Sequence, residues 1–338
     1  MNHPATPSDD TWKFDALATR RWRQRLLQWY DRNRRDLPWR RDRDPYRVWI
    51  SEIMLQQTRV SAVLEHYRRF LQRFPTVQRL AAAREPAVLA AWSGLGYYRR
   101  ARMMHAAAKV IVKEHGGRFP ETIPELRALP GIGRYTAAAI ASIVFDTAAA
   151  VVDGNVERVL GRVSGADFSG EGVWQAAESL LSRKRPGDFN QAMMELGATV
   201  CVPGPPKCSS CPVIGLCVTR GNPVLLEMTL HKKSVRQKRL SICYALDHSN
   251  RSIFLVQRPK HASLMPGMWE LPEIPVVLGR SAASLTLRHS ITVTDYTVHV
   301  MRGPVPSMVK GQWMPKSRVR KLPLTGLARK ILREAQVI

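Results

Sequence analysis

Four cysteines, Cys201, Cys208, Cys211 and Cys217, follow the spacing C-x6-C-x2-C-x5-C in a loop-like stretch bearing Pro, Gly and Lys. Thiolates at such intervals are metal ligands by type. Zinc sites usually open with a tighter pair, roughly two to four residues apart, so the long first gap favours a cubane-type iron–sulfur cluster held by four thiolates. Two disulfides or four unrelated core thiols are the competing readings. Disulfide frameworks belong to small secreted chains, whereas this one has 338 residues, five cysteines and the polar start Met1-Asn2-His3-Pro4. The fifth thiol, Cys243, sits in an apolar strand-like run, where an inert buried cysteine is the ordinary expectation.

Two carboxylates could do acid–base work. Glu52 lies among Ile50, Ile53, Met54 and Leu55 in a helical pattern. Apolar surroundings raise a carboxyl pKa and keep its proton, the property a general acid needs. Arg40 and Arg47 could instead neutralise Glu52 in salt bridges. Asp153 follows the apolar pair Val151-Val152 and precedes a new helix, where an N-cap is the competing role. Between them, Leu129-Pro130-Gly131-Ile132-Gly133-Arg134-Tyr135 joins two helical segments. A glycine pair there lets backbone N–H groups face outward at a helix N-terminus, which suits an anion such as a DNA phosphate. A plain packing turn would use similar residues.

The elements that must position these groups are mostly helices. Asp44-Pro45 opens a helix through Leu55, followed by helices over Val60 to Phe74, an Ala-rich segment 80 to 92, and Arg99 to His115. A short segment begins near Thr122, and further helices cover Thr136 to Phe145 and Val156 to Arg162. After the cysteines the pattern alternates, with strand-like runs at Ser241 to Ala245, Ile253 to Val256 and Tyr296 to Met301, then a last helix near Leu327 to Ala335. The expected organisation is a flexible tail over 1–19, a helical domain over 20–220, a basic linker over 221–238 and a small α/β domain over 239–338. Lys and Arg number 52 against 27 Asp and Glu, a formal charge of +25 that points to a polyanionic partner, nucleic acid first. No apolar run approaches membrane-spanning length, so a soluble cytoplasmic, nucleoid-associated protein is expected.

The runs Ser51-Glu52-Ile53-Met54-Leu55-Gln56-Gln57-Thr58, Gly94-Leu95-Gly96-Tyr97-Tyr98, the Leu129 to Tyr135 hairpin, Val152-Asp153-Gly154-Asn155-Val156 and the four-cysteine pattern occur in one order. Together they closely resemble the MutY-type adenine DNA glycosylases of the endonuclease III superfamily. The resemblance implies a mainly α fold: a two-lobed helix-hairpin-helix glycosylase domain with one [4Fe-4S] cluster, plus a C-terminal Nudix-like α/β domain. It implies a monomeric enzyme that acts on double-stranded DNA and hydrolyses adenine from mispairs with 8-oxoguanine or guanine. By motif position Glu52 is the acid at adenine N7, Asp153 the carboxylate at sugar C1′, and Asn155 its support. Tyr135 stands where lyase members carry a Schiff-base lysine; a phenol forms no imine, so a monofunctional enzyme is implied. Leu55, Gln57 and Tyr97 would meet the duplex, with Gln57 and Tyr97 as wedges, while Arg40 and Gln191 line the adenine pocket and Gly131 and Gly133 hold phosphate.

The C-terminal resemblance rests on Val256-Gln257-Arg258-Pro259, Gly267-Met268-Trp269-Glu270-Leu271-Pro272 and Leu322-Pro323-Leu324, without the acidic cassette that would hold magnesium. One departure concerns the oxidised guanine. Ser290, Ile291 and Thr292 fall in the reading segment, where Ile291, Thr292 and Val293 replace a Phe-Ser-His triplet and the imidazole is lost. A thymine glycosylase and a non-enzymatic iron–sulfur DNA-binding protein are the rival readings.

Overall fold

The computed structural model describes residues 14–166, 168, 170–222, 238–275, 283–291 and 293–338. Among the described residues, eleven α-helices precede the cysteines: α1 (Ala16–Asn33), α2 (Pro45–Leu55), α3 (Val60–Arg73), α4 (Val77–Ala81), α5 (Glu85–Trp92), α6 (Arg99–Glu114), α7 (Ile123–Ala128), α8 (Arg134–Val144), α9 (Gly154–Ser164), α10 (Glu171–Leu180) and α11 (Pro186–Thr199). Strands β1 (Lys238–Leu246), β2 (Ser252–Gln257), β3 (Trp269–Glu270), β4 (Glu273–Ile274), β5 (Leu285–Ile291), β6 (Thr294–Arg302) and β7 (Gln312–Pro315) follow, then α12 (Lys316–Val319) and α13 (Gly326–Glu334). The fold is largely helical with a C-terminal α/β region. The Ala-rich stretch 80 to 92 does not form one helix. It breaks between α4 and α5, because Pro86 can begin a helix but lacks the N–H to continue one.

The chain forms two compact units, one from the described residues of Met1–Ile53 and Arg118–Lys232, the other from those of Met54–Gly117 and Lys233–Ile338. In the first, Asp15 caps α1 by accepting from the Ala18 N–H at 2.6 Å. Its buried stripe Trp22, Leu26 and Tyr30 recurs every fourth residue and packs with Leu160 and Val163 of α9, Leu180 of α10, and Met193 and Leu196 of α11. Asp44 caps α2 through the Arg47 N–H at 2.8 Å. A second cluster joins Val48 of α2 to Ala138, Ala139 and Ile143 of α8 and to Val151. Glu52, one turn further along α2, comes within hydrogen-bonding reach of Tyr135 in the first turn of α8.

In the second unit a four-stranded sheet has the order β4-β1-β6-β5 and a three-stranded sheet the order β3-β2-β7. β1 and β6 run parallel, and the other pairings are antiparallel. Ile253, Leu255, Val298 and Val300 form a core with Leu327, Ile331 and Leu332 of α13. The alternating runs at 241, 253 and 296 are strands as expected, while β3, β4 and β7 are too short to show a period in sequence. The same unit joins α5 and α6 to the sheet region. Leu324 O accepts from Ser93 Oγ at 2.9 Å and from Tyr98 Oη at 3.0 Å, and Arg329 Nε donates to Ser93 Oγ at 2.9 Å.

Candidate active site and cysteine pocket

Glu52 sits one turn beyond Val48 on α2 and is 6% exposed. Burial pushes its carboxyl up to about 7; the Tyr135 hydroxyl draws it back, the Asp153 charge raises it further and Arg40 lowers it. Its Oε2 has no hydrogen-bond partner among the described residues. Neither candidate salt-bridge partner reaches it. Arg40 Nη2 lies 2.8 Å from Glu195 Oε2 and Arg47 Nη1 lies 2.6 Å from Asp42 Oδ2. A buried carboxyl without an ion pair keeps its proton near neutral pH, which is the state a proton donor requires.

Tyr135 is the second residue of α8, directly after the Gly133 N-cap and Arg134. Its hydroxyl donates to Met194 Sδ at 3.3 Å. Burial raises the phenol well above its ordinary value, and the nearby Glu52 and Asp153 charges add to this. Gly131 adopts a φ of 78°, the left-handed region that favours glycine, and Gly133 caps α8 without a side-chain hydrogen bond. The N-terminal end of α8, where the helix dipole favours an anion, therefore carries no side-chain cap from Gly133.

Asp153 takes the capping role that its position allowed. It is the N-cap of α9, with Oδ1 accepting from Asn155 N at 2.9 Å and Val156 N at 2.8 Å. Its Oδ2 accepts from Asn155 Nδ2 at 2.8 Å, so three donors fix the carboxylate's direction. Asn155 is held in turn by Arg158, whose Nη2 donates to Asn155 Oδ1 at 2.8 Å and to Gly197 O at 2.7 Å. Asp153 and Glu52 approach closely enough for each to act electrostatically on Tyr135. The arrangement pairs one proton-holding carboxyl with one capped carboxylate.

Three residues that sequence reasoning missed hold this constellation. Asn190, 2% exposed, accepts from Val151 N at 3.2 Å and donates to Ala149 O at 2.8 Å and Ser142 Oγ at 2.9 Å, which anchors the segment delivering Asp153. Glu195, 1% exposed, receives Arg35 at 2.7 Å and Arg40 at 2.8 Å. Arg158 is the third. Asn190 and Glu195 are two of several polar residues in α11, so nothing in the sequence set them apart. Gln191 is half-buried on α11 beside Asn190, and its amide makes no hydrogen bond among the described residues.

The four thiols Cys201, Cys208, Cys211 and Cys217 line one cavity together with Val159, Arg162, Val163, Leu196 and Val213. No three His, Cys, Asp or Glu side chains among the described residues are drawn together as around a single ion. Arg162, 2% exposed, lies 3.5 Å from Cys201 Sγ and donates to Val202 O and Gly204 O, while its Nε is buried without a partner. A buried cation with an orphaned N–H beside four sulfurs fits an anionic thiolate cluster, and the donor set is all soft sulfur.

With this geometry, the comparisons with known proteins decide the family. Residues 50–182 match the profile described as HhH-GPD superfamily base excision DNA repair protein. The adenine DNA glycosylase of Rattus norvegicus is 41% identical over 318 residues, covering 77% of this chain and 61% of the rat protein. That of Schizosaccharomyces pombe is 32% identical over 330 residues, covering 78% of this chain and 72% of its own. The chain belongs to the adenine DNA glycosylase family. It spans 40–61% of the length of the mammalian adenine DNA glycosylases it matches. Among solved structures, a thermostable thymine-DNA glycosylase is 30% identical with a TM-score of 0.58, covering 62% of this chain and 100% of its own.

The remaining residues singled out by the adenine DNA glycosylase motifs lie in the second unit. Leu55 ends α2, and Gln57 and Tyr97 occupy turns with φ of 54° and 48°, left-handed values uncommon outside glycine. Gln57 is exposed and Tyr97 is 46% exposed. Ser290 and Ile291 end β5, where Ser290 Oγ donates to Asp295 Oδ1 at 2.6 Å across the hairpin. Thr292 lies outside the described residues.

Proposed function

We propose that this chain is a monofunctional glycosylase that removes adenine mispaired with 8-oxoguanine or guanine from double-stranded DNA, leaving an abasic site. The observation that carries the reading is the buried Glu52 carboxyl, held up to about 7 without an ion pair, beside the triply hydrogen-bonded Asp153. When the N9–C1′ bond breaks, its electron pair passes to the adenine ring, and proton transfer from Glu52 to N7 makes that ring a better leaving group. The sugar gains oxocarbenium character, and the fixed Asp153 carboxylate stabilises it. Water supplies the hydroxyl at C1′, and its proton restores Glu52. Tyr135 offers no amine to C1′, so the reaction stops at the abasic sugar.

The target base must leave the stack to reach these groups. Gln57 and Tyr97, side chains at the exposed tips of left-handed turns, suit insertion beside the extruded nucleotide. Arg40 and Gln191 would border the base, and the β5–β6 hairpin of a Nudix-like domain would read the opposite purine through Ser290 and Ile291. Cys201, Cys208, Cys211 and Cys217 would hold one [4Fe-4S] cluster, which ties the cysteine loop to α9 and α11. The likeness to a thymine-DNA glycosylase keeps a different base choice as the second reading. Duplexes carrying A opposite 8-oxoguanine, A opposite G, or T opposite G, treated with protein and then hot alkali, test it. Strand breaks at adenine are expected; breaks at thymine alone, or none, overturn the proposal.

A further inference from the structure

Arg100, the second residue of α6, reaches back into two turns at once. Its Nη1 donates to Met54 O at 3.1 Å and, more closely, to Gln56 O. Its Nη2 donates to Thr58 Oγ1 at 3.2 Å, Leu95 O at 3.3 Å and Gly96 O at 3.4 Å. Two rings also lie against the guanidinium, with the Trp92 and Tyr97 centroids each 5.4 Å from its central carbon. Trp92 Nε1 also donates to Gly96 O at 3.1 Å, so the second turn is gripped from two sides. The first of these turns displays Gln57 and the second displays Tyr97. Their positive φ values are unfavourable for residues with a side chain, and such geometry persists only where surrounding contacts over-determine it.

A guanidinium is suited to this place for three reasons. It offers five donors in a planar fork, it stacks on aromatic faces, and it stays charged when partly buried. Four backbone carbonyls converging without a cation would repel one another. A lysine ammonium, with three donors about one point and no plane, could satisfy one turn but not hold both in register. On the other side of the same loop, Ser93 and Tyr98 bind Leu324 O, so the stretch 93–98 is fixed at both ends while Tyr97 stays exposed.

We propose that Arg100 is the positioning residue that sets Gln57 and Tyr97 as a matched pair, so that base extrusion depends on one guanidinium joining two turns. This rests on the reading of Gln57 and Tyr97 as wedges. The role is mechanical: Arg100 touches neither the base nor the reacting sugar, and its loss should slow extrusion while leaving proton transfer and hydrolysis intact.

The test compares Arg100→Lys, Arg100→Gln, Gln57→Ala and Tyr97→Ala with the parent in single-turnover excision at saturating protein. Extrusion is read separately from 2-aminopurine fluorescence at the target position. A second substrate has the base pairs flanking the adenine left unpaired, so that extrusion is no longer costly. Both Arg100 variants should lose roughly tenfold to a hundredfold in rate and lose fluorescence amplitude on the intact duplex, as displaced positioning groups do. Both losses should be largely recovered on the unpaired one. Parent-like rates for both Arg100 variants overturn the proposal, as does a defect that persists on the unpaired substrate, which would place the damage in the fold or the chemistry. If Gln57→Ala and Tyr97→Ala are parent-like on the intact duplex, the wedge reading itself fails, whatever Arg100 does. Thr58→Val, which removes one bond to Arg100 and the Thr58 Oγ1 bond to Gln56 O in the same turn without a cavity, covers the case in which the Arg100 variants do not fold. It should show a smaller loss with the same recovery, and a parent-like Thr58→Val beside unfolded Arg100 variants counts against the proposal.

Discussion

At the residue scale the proposed reaction depends on a carboxyl kept neutral by its surroundings. Glu52 is raised from 4.5 to about 7, with burial the largest cause. The protonated form is the donor, so excision should fall as pH climbs through about 7, read from single-turnover rates at saturating protein. The same shift bears on stability with a definite sign. Between about pH 4.5 and 7 the folded chain holds a proton that the unfolded chain has released, so stability falls as pH rises through that window. Glu52→Gln should therefore abolish excision with duplex binding largely kept, and should also melt later than the parent above pH 7. The difference should be at most on the order of 3 kcal/mol and should vanish near pH 4. A variant that retains turnover removes Glu52 from the acid role, and one that melts like the parent at every pH removes the burial argument.

At the element scale, the crossing of α11 over the start of α9 sets where Asp153 points. A Cβ built on Gly197 would stand 2.6 Å from Asn155 Cβ and 2.9 Å from Asn155 O, far inside ordinary contact. Gly197→Ala must push Asn155 away, and Asn155 supplies two of the three donors to Asp153. Overpacking of this kind costs about 1–3 kcal/mol. The expected result is a modestly lowered melting temperature with a disproportionate loss of excision rate, since about 1 Å of misplacement can cost ~100-fold. Loss of stability with the rate unchanged would show that the helices yield away from the carboxylate. Gly197 had no visible role in sequence because the crossing that demands it joins residues 42 positions apart.

At the scale of the whole molecule, the +25 charge and the cysteine loop connect partner and framework. Arg162 lines the cysteine cavity with no carboxylate partner among the described residues, so in the proposed cluster thiolate sulfur is its counter-charge. Cys208→Ser should cost the brown absorbance of thiolate-bound iron, lower the melting temperature, and weaken duplex binding together. A colourless parent with stoichiometric zinc would overturn the cluster assignment. No helix among the described residues is long and apolar enough to cross a membrane.

Much of the site was legible because its information is local. Glycines in the hairpin, a carboxylate placed to cap a helix, a lone acid on an apolar helical face and a set of spaced thiols each declare themselves within a few residues, since capping, turn geometry and helical period act over that range. The strand runs at 241, 253 and 296 were equally plain, whereas β3, β4 and β7 were too short to carry a period. What sequence could not decide was pairing across distance. It offered Arg40 and Arg47 to Glu52, and the tertiary structure gave them to Glu195 and Asp42, leaving Glu52 its proton. The resemblance gave Gln57 and Tyr97 as separate wedges, and only folding revealed that one guanidinium spans both turns. Residue type and spacing determined which groups could react; the packing of α2, α8, α9 and α11 decided which stay neutral, because desolvation and ion pairing depend on neighbours that chain order does not supply.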